Sequence, residues 1–341
     1  MNPPAPLTVA LVGAGRMARI RAQALSYVDS ITIATICDTE FASATRLASD
    51  FGAAATTDLG AVLADPMVDA VILTTPTPTH SRLICRTAEA GKHIFVEKPI
   101  AGDMEGARQA VDAVEDAGVQ CQVGFQRRFD PAQLKAKHKI EAGELGRIEG
   151  FRAVSRDAYL PTVEFLRGSG GLMLDLGIHD LDCARFLVGE VYEVSCIGAV
   201  HALPELKEYG LFDSAVAILR FSNGALGTLE AGLCTGFGYE ARTEVLGERG
   251  KLRFEVDSRT PLRHYTTEGV SFTPLMNFGE RYHEAYAAEV RAFGEHLQDG
   301  KPVSPDARDG LESLCLALAA QRSLERGTPV TVSEIRDEVT T

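Results

Sequence analysis

The chain has 341 residues, 45% of them hydrophobic, and carries a formal net charge of -13 at pH 7. An acidic chain repels phosphate backbones and anionic lipids, so we expect neither a nucleic-acid partner nor a membrane partner. The seven cysteines are scattered and form no C-x-x-C pair, which argues against a metal site or a disulfide framework and favours a reducing cytoplasm. The N-terminal segment lacks the basic and apolar stretches of an export signal.

Apolar runs alternate with helical periodicity in the first third of the chain. The pattern predicts helices at about 16–28, 79–90 and 103–117 and one that ends at Phe51, and it predicts strands at 7–13, 31–38, 68–75, 92–98 and 119–125. Continuous apolar strands joined by helices predict an α/β domain with a doubly wound parallel sheet. We therefore expect a Rossmann domain at residues 1–125.

The pattern changes after residue 125. It predicts strands at 146–156, 193–200, 214–222, 224–233, 241–248 and 250–258, and helices at 171–188, 281–298 and 307–325. Short turns between the strands predict a mostly antiparallel sheet. Residues 126–341 are therefore expected to form a second, α+β domain, and the sequence leaves open which domain the last helices join.

A glycine-rich motif, G-x-G-x-x-A at residues 13–18, lies directly between a predicted strand and a predicted helix. The first glycine allows a tight turn, the second allows close approach of a pyrophosphate, and the small third position allows helix–strand packing. The motif also fits a tight turn in a domain that binds no dinucleotide. Its cofactor-binding candidates are Gly13, Gly15, Arg16, Met17 and Ala18.

Asp38 ends the second predicted strand, ~20 residues beyond the motif, where a carboxylate would bind the ribose hydroxyls. Thr39 and Glu40 follow it without an Arg or Lys to receive a 2′-phosphate, which favours NAD over NADP. Asp38 could also cap the next helix. Thr75 and Glu97 each lie at the end of a predicted strand and are further cofactor-binding candidates.

Lys98 follows Glu97 in "FVEKPI", at the carboxyl end of a predicted parallel strand, where ligands of such sheets bind. The same position suits a surface lysine that ends a strand. Only the rest of the site can decide between these interpretations.

The stretch "GGLMLDLGIHDLD" (170–182) places Asp175, His179 and Asp182 at α-helical spacing on one side of a helix, with Asp180 on another, solvated side. A carboxylate one turn from an imidazole can fix its tautomer and stabilise its charged form, which indicates a catalytic pair. Alternatively, His179 is a buried, hydrogen-bonded residue. A metal site is disfavoured because only one histidine lies nearby.

The most specific segments are "VGAGRMA", "EKPI", "GFQRRFDP" (124–131), "SGGLMLDLGIHDLDCARFL" (169–187) and "ERYHEAYAAEVRAF" (280–293). Through them the chain resembles the Gfo/Idh/MocA oxidoreductases nearly end to end, and within that family most of all the inositol 2-dehydrogenases. The resemblance implies NAD-dependent oxidation of a ring secondary alcohol to a ketone. The implied substrate is a small neutral polyol, most of all myo- or scyllo-inositol.

The resemblance also implies roles for individual residues. The catalytic set would be Lys98, Asp175 and His179, which would also contact the substrate. The resemblance leaves open whether His179 or Lys98 accepts the proton. Further substrate contacts would come from Arg127, Asp157, Asp182 and Tyr239. The second sheet would have an open face that pairs copies of the chain into a homo-oligomer, a dimer or a tetramer.

Two segments depart from the inositol-type pattern: the loop at 156–165, and the segment 236–240, which has Phe237 where an aromatic hydroxyl is common. Both leave open a dehydrogenase that acts on an aldose or an anhydro-sugar. A non-catalytic NAD-binding regulator is a further alternative, although it would not need the three catalytic candidates together.

Overall fold

The computed structural model describes residues 5–159 and 161–338, and it divides the chain into two compact units. The first unit takes in the chain up to Phe129 together with Glu284–Leu314, and the second comprises Asp130–His283 and the chain from Cys315 onward. The late segment 284–314, whose placement the sequence left open, therefore belongs with the N-terminal elements.

The first unit is built on a six-stranded sheet in which every pair of neighbours is parallel, in the order β3-β2-β1-β4-β5-β6. Its strands are β1 (Leu7–Val12), β2 (Ile31–Cys37), β3 (Ala54–Thr56), β4 (Ala70–Leu73), β5 (His93–Glu97) and β6 (Cys121–Gly124). Its helices are α1 (Arg16–Leu25), α2 (Phe41–Phe51), α3 (Leu59–Ala64), α4 (His80–Glu89) and α5 (Met104–Ala117). This strand order confirms the predicted Rossmann fold.

The central strands are buried on both faces, which explains their continuous apolar runs. Leu11 of β1, Ile72 of β4 and Phe95 of β5 are fully buried. The strand order reverses between β1 and β4, so the carboxyl ends of β1, β4 and β5 form one edge at which a ligand can bind. The sequence did not predict β3 and α3, because three and six residues are too short for a clear periodic signal.

The second unit is built on a seven-stranded sheet in the order β12-β11-β7-β10-β9-β8-β15. Its strands are β7 (Ile148–Arg156), β8 (Val191–Ala199), β9 (Ser214–Phe221), β10 (Leu226–Gly232), β11 (Glu240–Gly247), β12 (Gly250–Glu255) and β15 (Val330–Thr331), with a separate hairpin of β13 (His264–Thr266) and β14 (Gly269–Ser271). Neighbouring strands are antiparallel except β7 and β10, which confirms the mostly antiparallel prediction.

The remaining helices are α6 (Pro131–Glu141), α7 (Val163–Gly168), α8 (Ile178–Leu187), α9 (Phe278–Asp299), α10 (Ala307–Arg326) and α11 (Val332–Asp337). Helix α8 packs against β7 and α6. Helix α9 is kinked at Tyr282, whose backbone leaves the helical region. Within the described ranges, no helix combines the length and apolar character that a membrane crossing needs.

The outer face of the second sheet carries exposed apolar side chains, whereas alternate residues of strands such as β9 are buried on the other face. Ile197 is 78% exposed, and Val216, Ile218 and Leu226 are each at least half exposed. Cross-strand pairing places Ile197 opposite Val216. We call these four residues the outer apolar patch.

Candidate active site

The glycine-rich loop has the geometry that its motif predicts. Gly13 has a φ of +97°, and a Cβ at this position would lie 3.0 Å from the Thr74 carbonyl carbon. A Cβ on Gly15, the residue before α1, would meet nothing within 4 Å, which leaves room for a ligand beside the backbone. Ala18 is fully buried where α1 packs on the sheet. These features fit a bound dinucleotide.

Asp38 ties the end of β2 to this loop. Its Oδ2 accepts a 2.7 Å hydrogen bond from the Ala14 N–H, and its Oδ1 accepts one of 2.8 Å from the Glu40 N–H. The N-cap residue of α2 is Glu40, so Asp38 lies before the helix rather than in its cap position. The carboxylate is thereby held beside the loop, where a ribose would lie.

A polar cavity of about 180 Å³ opens beside the same loop. It is lined by Ala14, Gly15, Arg16, Arg19, Ser43, Arg46 and Leu47. Three arginines around one cavity favour an anionic group such as a phosphate. The sequence indicated Arg16 but not Ser43 or Arg46, because their approach to the loop depends on how α2 packs.

Lys98 directly follows β5 and is half-buried, and its peptide bond to Pro99 is cis. The preceding Glu97 is buried and accepts a hydrogen bond from Arg21, with 2.5 Å between Nε and Oε1. Arg21 is itself fully buried and also forms an ion pair with Glu289. Burial alone lowers the pKa of Arg21, but Glu289 and Glu97 outweigh it and raise this pKa above its usual value.

His80, which the sequence analysis did not single out, joins the segments after β4 and β5. Its Nδ1 lies 2.7 Å from the Pro99 carbonyl oxygen and its Nε2 lies 2.8 Å from the Thr75 carbonyl oxygen. Burial lowers the pKa of His80 below its usual value. The available signal was a histidine shortly after a strand end, in "TTPTPTH", but its two partners could not be identified without the fold.

In the second unit, the predicted helix 171–188 begins as a π-helical turn, Met173–Gly177, and continues as α8. Gly170 and Gly171 precede it with φ of +84° and +93°. Asp175 lies in the π turn and His179 lies in α8, and both are half-buried. The assumption of regular α-helical spacing from 171 is therefore wrong, because the π turn bonds i to i+5; such turns occur often at functional sites.

The prediction for Asp180 is also wrong. This residue is fully buried rather than solvated, as is Asp182 at 1% exposure. Residues two apart on an α-helix lie about 200° apart. Nearly opposite sides of α8 therefore carry buried carboxyl groups, because other parts of the chain cover both sides.

The other candidates lie on separate elements. Arg127 is 2% exposed in the 3₁₀ turn Gln126–Phe129 of the first unit. In the second unit, the half-buried Asp157 accepts a hydrogen bond from the Tyr159 N–H, and Tyr239, 5% exposed, packs edge-on against Tyr282.

Two of the sequence segments that carry the family resemblance meet in the second unit. Arg281 forms a 2.6 Å ion pair with Asp130, and both side chains are nearly buried. Arg281 also lies over the Tyr282 ring, 4.4 Å from its centroid. These contacts give "GFQRRFDP" and "ERYHEAYAAEVRAF" a shared structural role.

Comparison with known proteins agrees with this architecture. Residues 7–125 match the family model described as the oxidoreductase family, NAD-binding Rossmann fold, and residues 137–332 match the model for the C-terminal alpha/beta domain of the same family. The chain therefore belongs to the Gfo/Idh/MocA oxidoreductase family. This assignment confirms the family resemblance and the NAD-binding domain.

Similar proteins include scyllo-inositol 2-dehydrogenase (NAD(+)) of Bacillus subtilis, 40% identical over 79% of this chain and 79% of its own length. Inositol 2-dehydrogenase of Rhizobium meliloti is 35% identical over 95% of this chain and 98% of its own. Among solved structures, scyllo-inositol dehydrogenase from Lactobacillus casei with bound NAD(H) and scyllo-inositol has a TM-score of 0.90 and 29% identity over 96% of this chain and 99% of its own.

Proposed function

We propose that this protein is an inositol dehydrogenase that oxidises one ring secondary alcohol of myo- or scyllo-inositol to a ketone with NAD. The observation that carries the proposal is the similarity to two inositol dehydrogenases at 35–40% identity, over most of both chains. The glycine-rich loop, the Asp38 carboxylate and the arginine-lined cavity provide a place for the dinucleotide.

In the proposed mechanism, the catalytic groups would be those that the family resemblance implies, namely Lys98, Asp175 and His179. A bound NAD would supply the acceptor for the hydride, which carries the electron pair of the substrate C–H bond, and the glycine-rich loop and Asp38 would hold it. The substrate O–H bond breaks as the C=O bond forms, and the imidazole of His179 takes the proton. Imidazole suits this task because its pKa lies near neutral pH. Lys98 could accept the proton instead if its own pKa were lowered by burial and by the charge of NAD⁺.

The other two groups would support that proton transfer. Asp175 would orient the imidazole and stabilise its charged form. Lys98 would donate a hydrogen bond to the reacting oxygen and stabilise its developing negative charge. Arg127, Asp157, Asp182 and Tyr239 would bind the remaining hydroxyls.

We also propose that the protein acts as a homo-oligomer, a dimer or a tetramer, in which the outer face of the second sheet pairs with the same face of another copy. The outer apolar patch supports this, because contiguous exposed apolar side chains mark interaction surfaces. Beside the patch, Arg152 pairs with Glu244 and Arg156 pairs with Glu230 across neighbouring strands. Positive and negative side chains therefore alternate on this face. Alternating charges can complement themselves about a two-fold axis.

A cytoplasmic location is part of the same proposal. The seven cysteines all lie in described segments, and each carries a free thiol. Five of them are buried, which is the usual environment of a structural thiol in a reducing compartment.

A substrate panel tests the proposed activity. The purified protein would be given NAD with myo-inositol, scyllo-inositol, glucose or an anhydro-sugar, and NADH formation would be followed by its absorbance. We expect kcat/KM for one of the inositols to exceed that for the pyranoses by about 10-fold or more. Lys98→Met and His179→Ala proteins, purified in the same way, control for contaminating dehydrogenases.

A higher kcat/KM for a pyranose would contradict the inositol assignment and favour an aldose or anhydro-sugar dehydrogenase. Turnover of none of these compounds by a protein that binds NAD would contradict the dehydrogenase assignment and favour an NAD-binding regulator. Binding of NAD is measured separately by calorimetry.

A further inference from the structure

One buried imidazole bridges the two backbone segments that follow β4 and β5. His80 is the first residue of α4 and is 1% exposed. Its two ring nitrogens lie 2.7 Å and 2.8 Å from the carbonyl oxygens of Pro99 and Thr75. A carbonyl oxygen only accepts hydrogen bonds, so each of these contacts is a bond only when the ring nitrogen carries a proton.

The bridge lies where the proposed chemistry needs a fixed geometry. Pro99 directly follows Lys98, and Thr75 follows β4, the strand that pairs with β5. The Lys98 ammonium lies at the end of a flexible four-carbon stem, so the position of its backbone strongly affects where the charge can reach. A bond to the Pro99 carbonyl holds the backbone at the residue directly after Lys98.

The surroundings of His80 favour a neutral ring at neutral pH. Burial lowers its pKa, the Pro99 and Thr75 carbonyls and Glu97 oppose this shift, and the positive charge of Lys98 adds to it. A neutral imidazole has one N–H and can donate to only one of the two carbonyls at a time. Of the two contacts, the one at Nδ1 reaches the residue next to Lys98.

We propose that His80 is a positioning residue for Lys98, and that it acts through a hydrogen bond from Nδ1–H to the Pro99 carbonyl. This inference rests on the proposed function, because it assigns to His80 the placement of the group that stabilises the reacting oxygen. His80 itself need not touch the substrate.

Two isosteric substitutions separate the two contacts. In His80→Asn, the amide nitrogen can occupy the position of Nδ1 and keep the bond to Pro99. In His80→Gln, the amide nitrogen can occupy the position of Nε2 and donate to the Thr75 carbonyl instead. His80→Leu removes both contacts, and His93→Asn is the matched control, because His93 is half-buried at the opposite end of β5 and its Nδ1 accepts from the Gln120 N–H.

We expect His80→Gln and His80→Leu to lower kcat on the order of 10²-fold, while the KM for NAD changes far less. His80→Asn and His93→Asn should keep kcat close to that of the wild type. A purely structural role would not distinguish Asn from Gln in this way. Equal kcat values for wild type, Asn and Gln would overturn the inference, as would equal losses in Asn and Gln. If the Leu variant does not fold, the Asn–Gln pair alone decides.

Crystal structures of the Asn and Gln variants test the inference without turnover. The expected result is a displaced Lys98 Nζ in the Gln variant and an unmoved one in the Asn variant, whereas an unmoved Nζ in both would overturn it. Failure of the proposed function is a different result, since it would be inactivity of the wild-type protein in the substrate panel.

Discussion

Arg21 and Glu97 form a buried ion pair that links α1, the helix after the glycine-rich loop, to the end of β5, one residue before Lys98. The guanidinium of Arg21 also pairs with Glu289 and lies between two aromatic rings, 4.5 Å from the centroid of Phe95 and 4.7 Å from that of Tyr286. A Cβ on Gly124 would lie 2.7 Å from Arg21 Nη2, so a larger residue at this position of the neighbouring strand β6 would collide with the guanidinium. The helix after the glycine-rich loop and the strand that precedes Lys98 are thus joined by one buried ion-pair network.

Replacing Arg21 by Met should lower the free energy of unfolding by about 3–5 kcal/mol, because two buried carboxylates lose their cation. Arg19→Met is the matched control from the same helix. Arg19 pairs with Asp50 at the surface, where both side chains are about half exposed, and its loss should cost less than about 1 kcal/mol. Urea titrations of the three proteins measure the difference, and equal losses in the two variants would contradict the buried-pair interpretation.

Replacing His179 by Ala should lower kcat by ~10²–10⁴-fold, since positioned proton transfer typically contributes that much, while NAD still binds. His201→Ala serves as the control, because His201 is an exposed histidine of the same unit. Steady-state kinetics give kcat and calorimetry gives the affinity for NAD. Unchanged turnover in His179→Ala would remove His179 from the mechanism.

Asp38 should determine the preference for NAD. Removing its carboxylate in Asp38→Ala should lower kcat/KM for NAD by about 10–100-fold, the equivalent of a charged hydrogen bond, and lower kcat/KM for NADP less. The control is Asp69→Ala, because Asp69 also accepts a backbone N–H, that of Thr8, but directly before β4, at the amino end of the sheet. A wild-type protein with higher kcat/KM for NADP than for NAD would show that the role given to Asp38 is wrong.

A charge in the outer apolar patch should dissociate the proposed oligomer. Ile218→Asp places a carboxylate on the outer face of β9, where an interface with a second copy would bury it at high cost. Val270→Asp is the control, since Val270 is equally exposed on the hairpin strand β14. Sedimentation velocity should give a smaller mass for Ile218→Asp alone. A wild-type protein that sediments as a monomer would contradict the proposal.

The buried thiols should make the protein less stable at alkaline pH. Burial raises the pKa of the Cys196 thiol to about 12, and it also raises the pKa of Cys121. The folded pKa exceeds the unfolded value of about 8.5, so above that value only the unfolded chain loses the thiol proton. The free energy of unfolding should therefore be highest below pH ~8.5 and should fall as the pH rises towards 12. Urea titrations between pH 8 and the alkaline limit measure it.

Thiol labelling at pH 8 provides a second, independent check of the same environments. The exposed Cys234 should react rapidly with a disulfide reagent, and Cys196 should react only after unfolding. Cys234→Ser should abolish the rapid phase. Rapid labelling of Cys196 in the native protein would contradict its assigned burial.

The sequence by itself determined the fold class, the dinucleotide loop and the strands of both sheets apart from the short β3 and β15; it did not predict the separate hairpin β13–β14. Apolar runs such as that of β1 and the alternation in β9 report directly on how a strand is buried, and the spacing of Gly13, Gly15 and Ala18 reflects a local backbone geometry. All of these signals lie within a few consecutive residues, so they can be interpreted without knowing the partners.

Only the tertiary structure decided the rest. The π turn before α8 depends on backbone hydrogen bonds that side-chain periodicity does not encode, and the burial of Asp180 depends on which parts of the chain pack around α8. The bridge formed by His80 joins two strand ends that the sheet brings together, and Arg21 finds partners 76 and 268 residues away. Charged side chains are buried only when a partner offsets the loss of water, and which partner is near follows from packing across the whole chain.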